Sequence, residues 1–369
     1  MKKLKYSLII YSFFVVTAFA QNNNNVATNS YWTEGKAEVN VYEVSQNRYQ
    51  ENHPGQLISI FVTEDFLTDK QVKNEYYTNQ QTTWILKNIQ LKKFTTGVYD
   101  YSLFNSVFTP IDRVKFPKSL KVSASSQEWC GTIYTQFNLI FNTDYKVEHR
   151  SYFEKEGDIT TRIKRSFLED EVFNVLRMNP LLLPTGNLQF IPPANYIQLK
   201  HLPLQSFEGA ASLTLYNKKE ILGGNLMEYK IEYAQLKRTM SIIFENKAPY
   251  KIMGWFETFP SSFDGKKRTT SVILKKQKML PYWSQNGLKD QYLSNGKLIE
   301  VLKRLTTFVN EQKILVRVNY SDLDVEEFGS IYEGFSIKYD PSTYQLNAFF
   351  TPDKKRYGVV PERYRKSAD

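Results

Sequence analysis

The sequence predicts a mainly β chain, a β-rich α+β fold. It is expected to form an antiparallel sheet or open half-barrel with one inserted helix, followed by a small C-terminal α+β appendage. Two observations predict this. Tyr and Phe occur 25 times each, and most of the chain falls into short runs of β-branched and aromatic residues separated by turn residues. Helical periodicity, by contrast, surfaces in only two places.

Taken in order, strands are expected over residues 37–44, 56–62, 88–94, 120–124, 132–141 and 145–153, and again over 212–216, 227–233, 239–244, 250–256 and 270–274. Between the two sets, Ser166 is placed to cap a helix with Leu168, Val172, Phe173 and Leu176 on one face, stopped by Asn179-Pro180. A second helix is expected after Asn295-Gly296, where Leu298, Val301, Leu302, Leu305 and Val309 recur at spacings of three and four. Strand pattern returns over 314–318, 335–339 and 344–350, with Asp340-Pro341-Ser342 as a turn. The domain reading is therefore a β-rich body over 31–295 and an appendage over 296–369, the latter ending in the basic cluster Lys354-Lys355-Arg356, Arg363, Arg365 and Lys366.

The first residues read as a secretory signal. Met1-Lys2-Lys3-Leu4-Lys5 is basic, residues 6–20 are apolar and close on Ala18-Phe19-Ala20, and a polar leader over 21–30 follows. The apolar run is short for a membrane span, which needs roughly 20 residues. No cysteine follows it, so a lipoprotein anchor is not expected. The expected location is outside the cytoplasm, in the periplasm or associated with the outer envelope. The only cysteine, Cys130, cannot close an internal disulfide. Formal net charge is +10, but the positive excess is dispersed among acids, and the chain carries no nucleic-acid-binding signature. Nucleic acid is not an expected partner.

One hairpin stands out. From Trp129 onward, Trp129, Ile133, Phe137, Leu139 and Phe141 share one phase and form the expected core face, while Cys130 takes the other. A three-residue turn at Asn142-Thr143-Asp144 would set Phe141 opposite Tyr145, Leu139 opposite Val147 and Ile133 opposite Phe153. That register gathers Glu128, Cys130, Tyr134, Gln136, Arg150, Tyr152, Glu154 and Glu156 on one polar face. Such a face is a candidate binding cleft, and equally an ordinary solvent face of cross-strand pairs.

Familiar chemistries lack their motifs. Three histidines, His53, His149 and His201, are scattered, with no His-Glu-x-x-His and no Cys-x-x-Cys. There is no Gly-x-Ser-x-Gly elbow and no phosphate-cradling Gly-rich loop. Glu154, Glu156 and Asp158 do not supply the roughly six to eight oxygens that calcium takes. Hence no metal and no cofactor is expected. Cys130 lacks a base on its own face, since His149 takes the opposite phase, so no catalytic residue is assigned.

Several segments resemble a family of bacterial envelope proteins with signal peptides or lipoprotein signals, carried under the label septum formation inhibitor Maf. They are Tyr31-Trp32-Thr33-Glu34-Gly35-Lys36-Ala37-Glu38, Phe61-Val62-Thr63-Glu64-Asp65-Phe66-Leu67, the run Lys93 through Ser102, Gln127-Glu128-Trp129-Cys130-Gly131, the run Ser151 through Asp158, Gly254-Trp255-Phe256-Glu257-Thr258 and Pro281-Tyr282-Trp283. The resemblance spans roughly residues 30 to 295 and implies an exported envelope protein with no catalytic residue to carry over. The genuine Maf nucleotide pyrophosphatases open on a Ser-x-Ser-Pro-Arg-Arg loop, and no Pro-Arg-Arg occurs here, so their activity is not implied. By architecture, the strands with an inserted helix are similar to the open half-barrels of periplasmic lipoprotein carriers.

Three functional expectations follow. The first is binding or carriage of a lipophilic or envelope-derived ligand, such as a lipid, an acylated peptide or a glycan, on a curved, aromatic-rich sheet. The second is a structural or assembly role, docking to another envelope protein. The third is a carboxylate-dependent hydrolase built around Arg150, Glu154 and Glu156. The leaning is away from an enzyme.

Overall fold

The computed structural model describes residues 30–77, 81–287 and 290, together with the backbone of four short strands beyond. The segments 1–20 and 21–29 lie outside the described residues. The chain divides into two compact units, Met1–Ser284 and Gln285–Asp369.

The first unit is built on one large sheet. After a single turn of helix, α1 (Ser30–Thr33), the chain meanders through β1 (Ala37–Arg48), β2 (Glu51–Leu67), the short β3 (Val72–Lys73), β4 (Thr82–Thr96), β5 (Tyr99–Pro110), β6 (Lys121–Glu128), β7 (Gly131–Ile140), β8 (Asp144–Ser151) and β9 (Asp158–Lys164). It then restarts with β10 (Phe167–Leu168) and β11 (Gly186–Ile191), and meanders back through β12 (Phe207–Leu215), β13 (Leu226–Tyr233), β14 (Arg238–Glu245), β15 (Ile252–Pro260) and β16 (Lys267–Leu280). The last strand pairs with the first, so the spatial order runs from β10 through β16, then β1, β2, β4 and on to β9, with β3 beside β2. Every pairing is antiparallel except the two-residue pair of β10 with β11. This is the expected mainly β fold.

The sheet must curl. Its two outermost strands, β9 and β10, are separated in the chain by Arg165 and Ser166 alone, and two residues span roughly 10 Å at most. The far edges of the sheet are therefore held close together. Inside the curl lie α2 (Val172–Met178) and α3 (Ala194–Lys200). All seven residues of α2 are buried, as expected of a helix enclosed on every side. One apolar cluster packs α2 against β1, β2 and β11 to β16, and a second packs α3 against β5 to β9.

The inserted helix differs from its sequence reading. Phe167 and Leu168 pair with Phe190 and Ile191 as strand, Glu169–Glu171 form a 3-10 turn, and the α-helix starts only at Val172. Ser166 does not cap it; its hydroxyl donates to Lys164 O at 3.3 Å. The stop at Asn179-Pro180 is as expected. The second helix, α3, was not expected, because Pro192-Pro193 reads as a break although Pro193 serves as its N-terminal flank.

Three consecutive acids pin this turn inside the curl. Glu169 accepts from Arg238 Nη1 and Nη2, both at 2.6 Å, and from Tyr233 at 2.6 Å. Asp170 accepts from Asn105 Nδ2 at 2.7 Å and from the Ala194 amide at 3.0 Å. Glu171 accepts from the Ser119 amide and hydroxyl at 2.8 and 2.9 Å, with Arg113 at 3.4 Å and Lys118 at 3.8 Å. Successive side chains leave the turn in different directions, so one short turn is tied to β14, β5 and the β5–β6 loop at once. Further along, Arg177 pairs with Glu38, which also accepts from Tyr31 and from Asn40 Nδ2 at 2.8 Å. Buried charges require such partners.

The inner face is unusually polar where β1, β2 and β4 meet. Glu38, Asn40, Ser59 and Asn88 are buried on it, and Ser59 donates to Asn88 Oδ1 at 3.0 Å. The alternate residues Val39, Val41, Ile58, Ile60, Ile89 and Leu91 are only half-buried on the opposite face. Polarity across this part of the sheet is inverted from the usual apolar-in pattern.

In the second unit, β17 (Thr307–Val309) pairs with β18 (Leu315–Arg317), and β19 (Phe335–Asp340) with β20 (Gln345–Phe350). The last three agree with the strands expected there. Thr307–Val309 is strand where the helical pattern was expected to end; Leu298, Val301, Leu302 and Leu305 lie outside the described residues.

Candidate functional site

The hairpin singled out in sequence forms in another register. Leu139 pairs with Tyr145, Phe137 with Val147, Tyr134 with Arg150 and Ile133 with Ser151, two residues from the expected pairing. A shift of two keeps every side chain on its face, so alternation cannot detect it. The cause is the turn: Phe141 and Asn142 both adopt the left-handed conformation, at φ 50° and 54°, and strand β7 stops at Ile140.

The expected polar face is nonetheless dispersed, because residues 129–130 and 152–157 lie outside the strands. Trp129 and Cys130 are not on strand faces at all: they make the exposed two-residue turn between β6 and β7, where Glu128 pairs with Gly131. Trp129 is 71 % exposed, which corrects its assignment to the core. Tyr134 and Gln136 do share the outer face, joined by a Tyr134 hydroxyl bond to Gln136 Oε1 of 2.6 Å. Arg150, opposite Tyr134, is spent on the carbonyls of His149 and Ile159, both at 3.0 Å. Tyr152, Glu154 and Glu156 sit in the β8–β9 loop and not on strand; Tyr152 and Glu154 are exposed, and Tyr152 packs over Gly131, where a Cβ would lie 2.8 Å from its ring. Replacing Cys130 with Ser is expected to change unfolding free energy by less than about 0.5 kcal/mol in urea titration, as for an exposed position with no special contact.

Glu156 turns away from Cys130 and towards the core side. Its carboxylate lies 3.3 Å from His149 Nε2, 2.5 Å from His201 Nδ1 and 2.5 Å from the Ser151 hydroxyl. Burial works to raise its pKa, but the bonds from Ser151 and His201 outweigh that and hold it below the usual carboxylate range. His149 Nδ1 is 2.9 Å from Thr135 Oγ1, so hydroxyl, imidazole and carboxylate stand in nucleophile–base–acid order. Thr135 has no exposed surface, and a substrate carbonyl cannot reach it. This chain clamps the β8–β9 loop to the end of α3.

The site sequence reading missed is a cavity of about 90 Å³ inside the curl, lined by β1, β4, β5, β14, β15, α3 and the β15–β16 turn. It reaches from the buried Arg238 and Asp170 out to Ser262 and Phe263, which are exposed. Arg48 is set between the rings of Tyr49 and Tyr101, at 4.7 and 5.1 Å, and donates to Tyr101 Oη at 3.0 Å and Leu199 O at 2.8 Å. Lys92 donates to Gln46 Oε1 at 2.9 Å. Lys200 donates to Ser262 Oγ at 2.7 Å and Pro260 O at 3.2 Å. None of these three cations has a carboxylate partner among the described residues. Arg238 has two, Glu169 and, through Nε at 2.7 Å, Glu257.

Electrostatics follow from this lining. Burial lowers the pKa of Lys92, and burial together with the charge of Arg48 lowers that of Lys200. Burial pushes Asp170 up to about 7 against the bonds from Ala194 and Asn105, so one of the two lining carboxylates holds its proton well above the usual carboxylate range. Three lining amides, Asn47, Asn105 and Asn195, also keep a buried side-chain oxygen without a donor. The cavity is thus positive, and it offers acceptors beside its donors. A group smaller than a benzene ring, which takes roughly 150 Å³, fits it; an acyl chain does not. Among the described residues no cluster of His, Cys, Asp and Glu suits a metal.

No family model, curated protein or solved structure matches the chain.

Proposed function

We propose that this is an exported envelope protein that binds the anionic group of a small envelope-derived ligand, a phosphate, sulfate or carboxylate, in the cavity inside the curled sheet. The observation that carries the reading is the convergence of Arg48, Lys92 and Lys200 on one small cavity, none of them in an ion pair among the described residues, while its lining acids are committed elsewhere, Glu257 to Arg238 and Asp170 to Asn105 and Ala194. Half-buried cations without an ion-pair partner cost stability, and a bound anion supplies the missing partner. The basic and apolar N-terminus supports the exported setting, as does the resemblance to envelope proteins. The size of the cavity favours a headgroup or a single acidic substituent over a whole lipid.

The test is titration calorimetry with inorganic phosphate, sulfate and glycerol 1-phosphate. The parent chain is expected to bind at least one of them, and Lys92→Met to weaken that binding at least tenfold. The same substitution is expected to raise unfolding free energy by about 1 kcal/mol, because it removes an unpaired buried charge at nearly constant volume. A parent chain that binds none of the three anions sinks the reading.

A further inference from the structure

The end of the sheet opposite the cavity mouth carries a second kind of surface. There the β5–β6 loop, the β7–β8 turn and the Arg165-Ser166 link meet. Leu139 donates to Leu120 O at 2.8 Å, the Arg165 amide to Thr143 O at 2.8 Å, and Arg165 Nη1 to Asn142 Oδ1 at 2.6 Å. Two apolar side chains project from this junction. Val114 is 97 % exposed and Phe141 is 83 % exposed. Cations surround them: Lys115 is exposed beside Val114, Arg113 and Lys118 flank the buried Glu171, and Arg165 holds the turn that presents Phe141. Of the acids, Glu171 is buried beneath the loop, Asp112 is occupied in accepting from the amides of Val114 and Lys115 at 3.1 and 3.0 Å, and the half-buried Asp144 accepts from the Thr143 hydroxyl at 3.3 Å.

Phe141 is the informative residue. At φ 50° it occupies the left-handed region, which glycine and asparagine tolerate and a bulky side chain does not favour. Its neighbour Asn142 obeys that preference; Phe141 violates it and, in addition, places an aromatic ring in water. The exposure is relieved if the ring enters an apolar phase, a gain that offsets the cost of the strained backbone. Val114 is likewise held outward by the Asp112 contacts, so the loop is ordered before anything docks. Apolar tips among cations match the lipid boundary of an anionic bilayer: the tips enter the acyl region and the cations meet the headgroups.

We propose that this end of the molecule docks on an anionic lipid surface, with Val114 and Phe141 as the inserting tips and Lys115 and Arg165 as the headgroup contacts, while Arg113 and Lys118 neutralise the buried Glu171 beneath them. The proposal does not depend on the cavity, whose lining includes no residue of the β5–β6 loop, the β7–β8 turn or the Arg165-Ser166 link.

Vesicle flotation of the full chain tests it, with phosphatidylglycerol–phosphatidylethanolamine vesicles set against phosphatidylcholine vesicles. Binding to the anionic vesicles is expected to be at least tenfold tighter and to fall with added salt. The pair Val114→Ser and Phe141→Asn is expected to weaken it at least tenfold. Asparagine suits the backbone at 141, so thermal stability should hold or rise, which separates lost docking from lost folding. A fluorophore on Phe141→Cys, in a Cys130→Ser background, is expected to shift to the blue on anionic vesicles. The proposal is overturned by absence of vesicle binding, by equal binding to neutral vesicles, or by binding that survives the tip pair. It is equally overturned if the tip pair abolishes self-association in sedimentation while leaving vesicle binding intact. Phosphate titration of the tip variant should match the parent chain, so the two functional readings fail separately.

Discussion

Arg238→Met is expected to lower the unfolding free energy by about 3–5 kcal/mol, the cost of leaving a buried carboxylate without its partner. Arg238 and Glu169 have no exposed side-chain surface, and they share two bonds of 2.6 Å. The guanidinium also lies over the rings of Tyr196 and Tyr233, at 4.4 and 5.3 Å, and holds Glu257 through Nε. One substitution therefore strands two acids, the buried Glu169 and the cavity-lining Glu257. For a unit of this size the melting temperature should drop by roughly 10 °C, at about 2–4 °C per kcal/mol. The double variant Arg238→Met with Glu169→Leu should be less damaged than the two single losses added together, by about 2 kcal/mol, since it removes both buried charges. Urea unfolding of the four chains measures this directly; additive losses would show that the pair is not coupled.

Asp170 should make the stability fall as pH rises. Its pKa is pushed up to about 7, whereas an unfolded aspartate titrates near 3.9. Between these values the folded chain holds a proton that the unfolded chain has released. Stability from this residue is complete below the unfolded pKa, declines through the interval and levels off above about 7. The span corresponds to about 4 kcal/mol, at roughly 1.4 kcal/mol for each pKa unit. Glu156, held low by Ser151 and His201, works in the opposite direction and matters only towards acid pH. Asp170→Asn should abolish most of the decline between pH 5 and pH 8 in urea unfolding. An unchanged pH profile in that variant would overturn the assignment.

The fold was largely legible because strand alternation and turn residues repeat so often along the chain. The site was not, and particular residues show why. On β4 the apolar phase Ile89 and Leu91 looks like the core face, yet the inward phase is Asn88, Gln90 and Lys92, so reading polarity as exposure discards the residues that line the cavity. Glu169-Asp170-Glu171 at the start of a helix looks like a solvated first turn. Its burial depends on Arg238, Asn105 and Ser119, which stand far off in sequence, and no local pattern announces them. The polar face of the β7–β8 hairpin was anticipated for Tyr134, Gln136 and Arg150, but a turn of Phe141 and Asn142 moved the register by two. One signal does stand in the sequence: polar residues recurring with period two, Glu38 and Asn40 on β1 and Asn88, Gln90 and Lys92 on β4.

The pairing of β1 with β16 has a temporal consequence. Ala37 faces Leu280 across the sheet, so the first long strand lies in the middle of the finished sheet and waits on one side for the last. As the chain emerges from the ribosome, β1 to β9 can zip together in sequence, but the open edge of β1 stays unsatisfied until β16, more than two hundred residues after β1, has appeared. Contacts of such long separation are slow to form, and an unpaired edge invites association with other chains meanwhile. Whatever keeps the β1 edge from pairing with other chains until β16 arrives would therefore raise the yield of native protein.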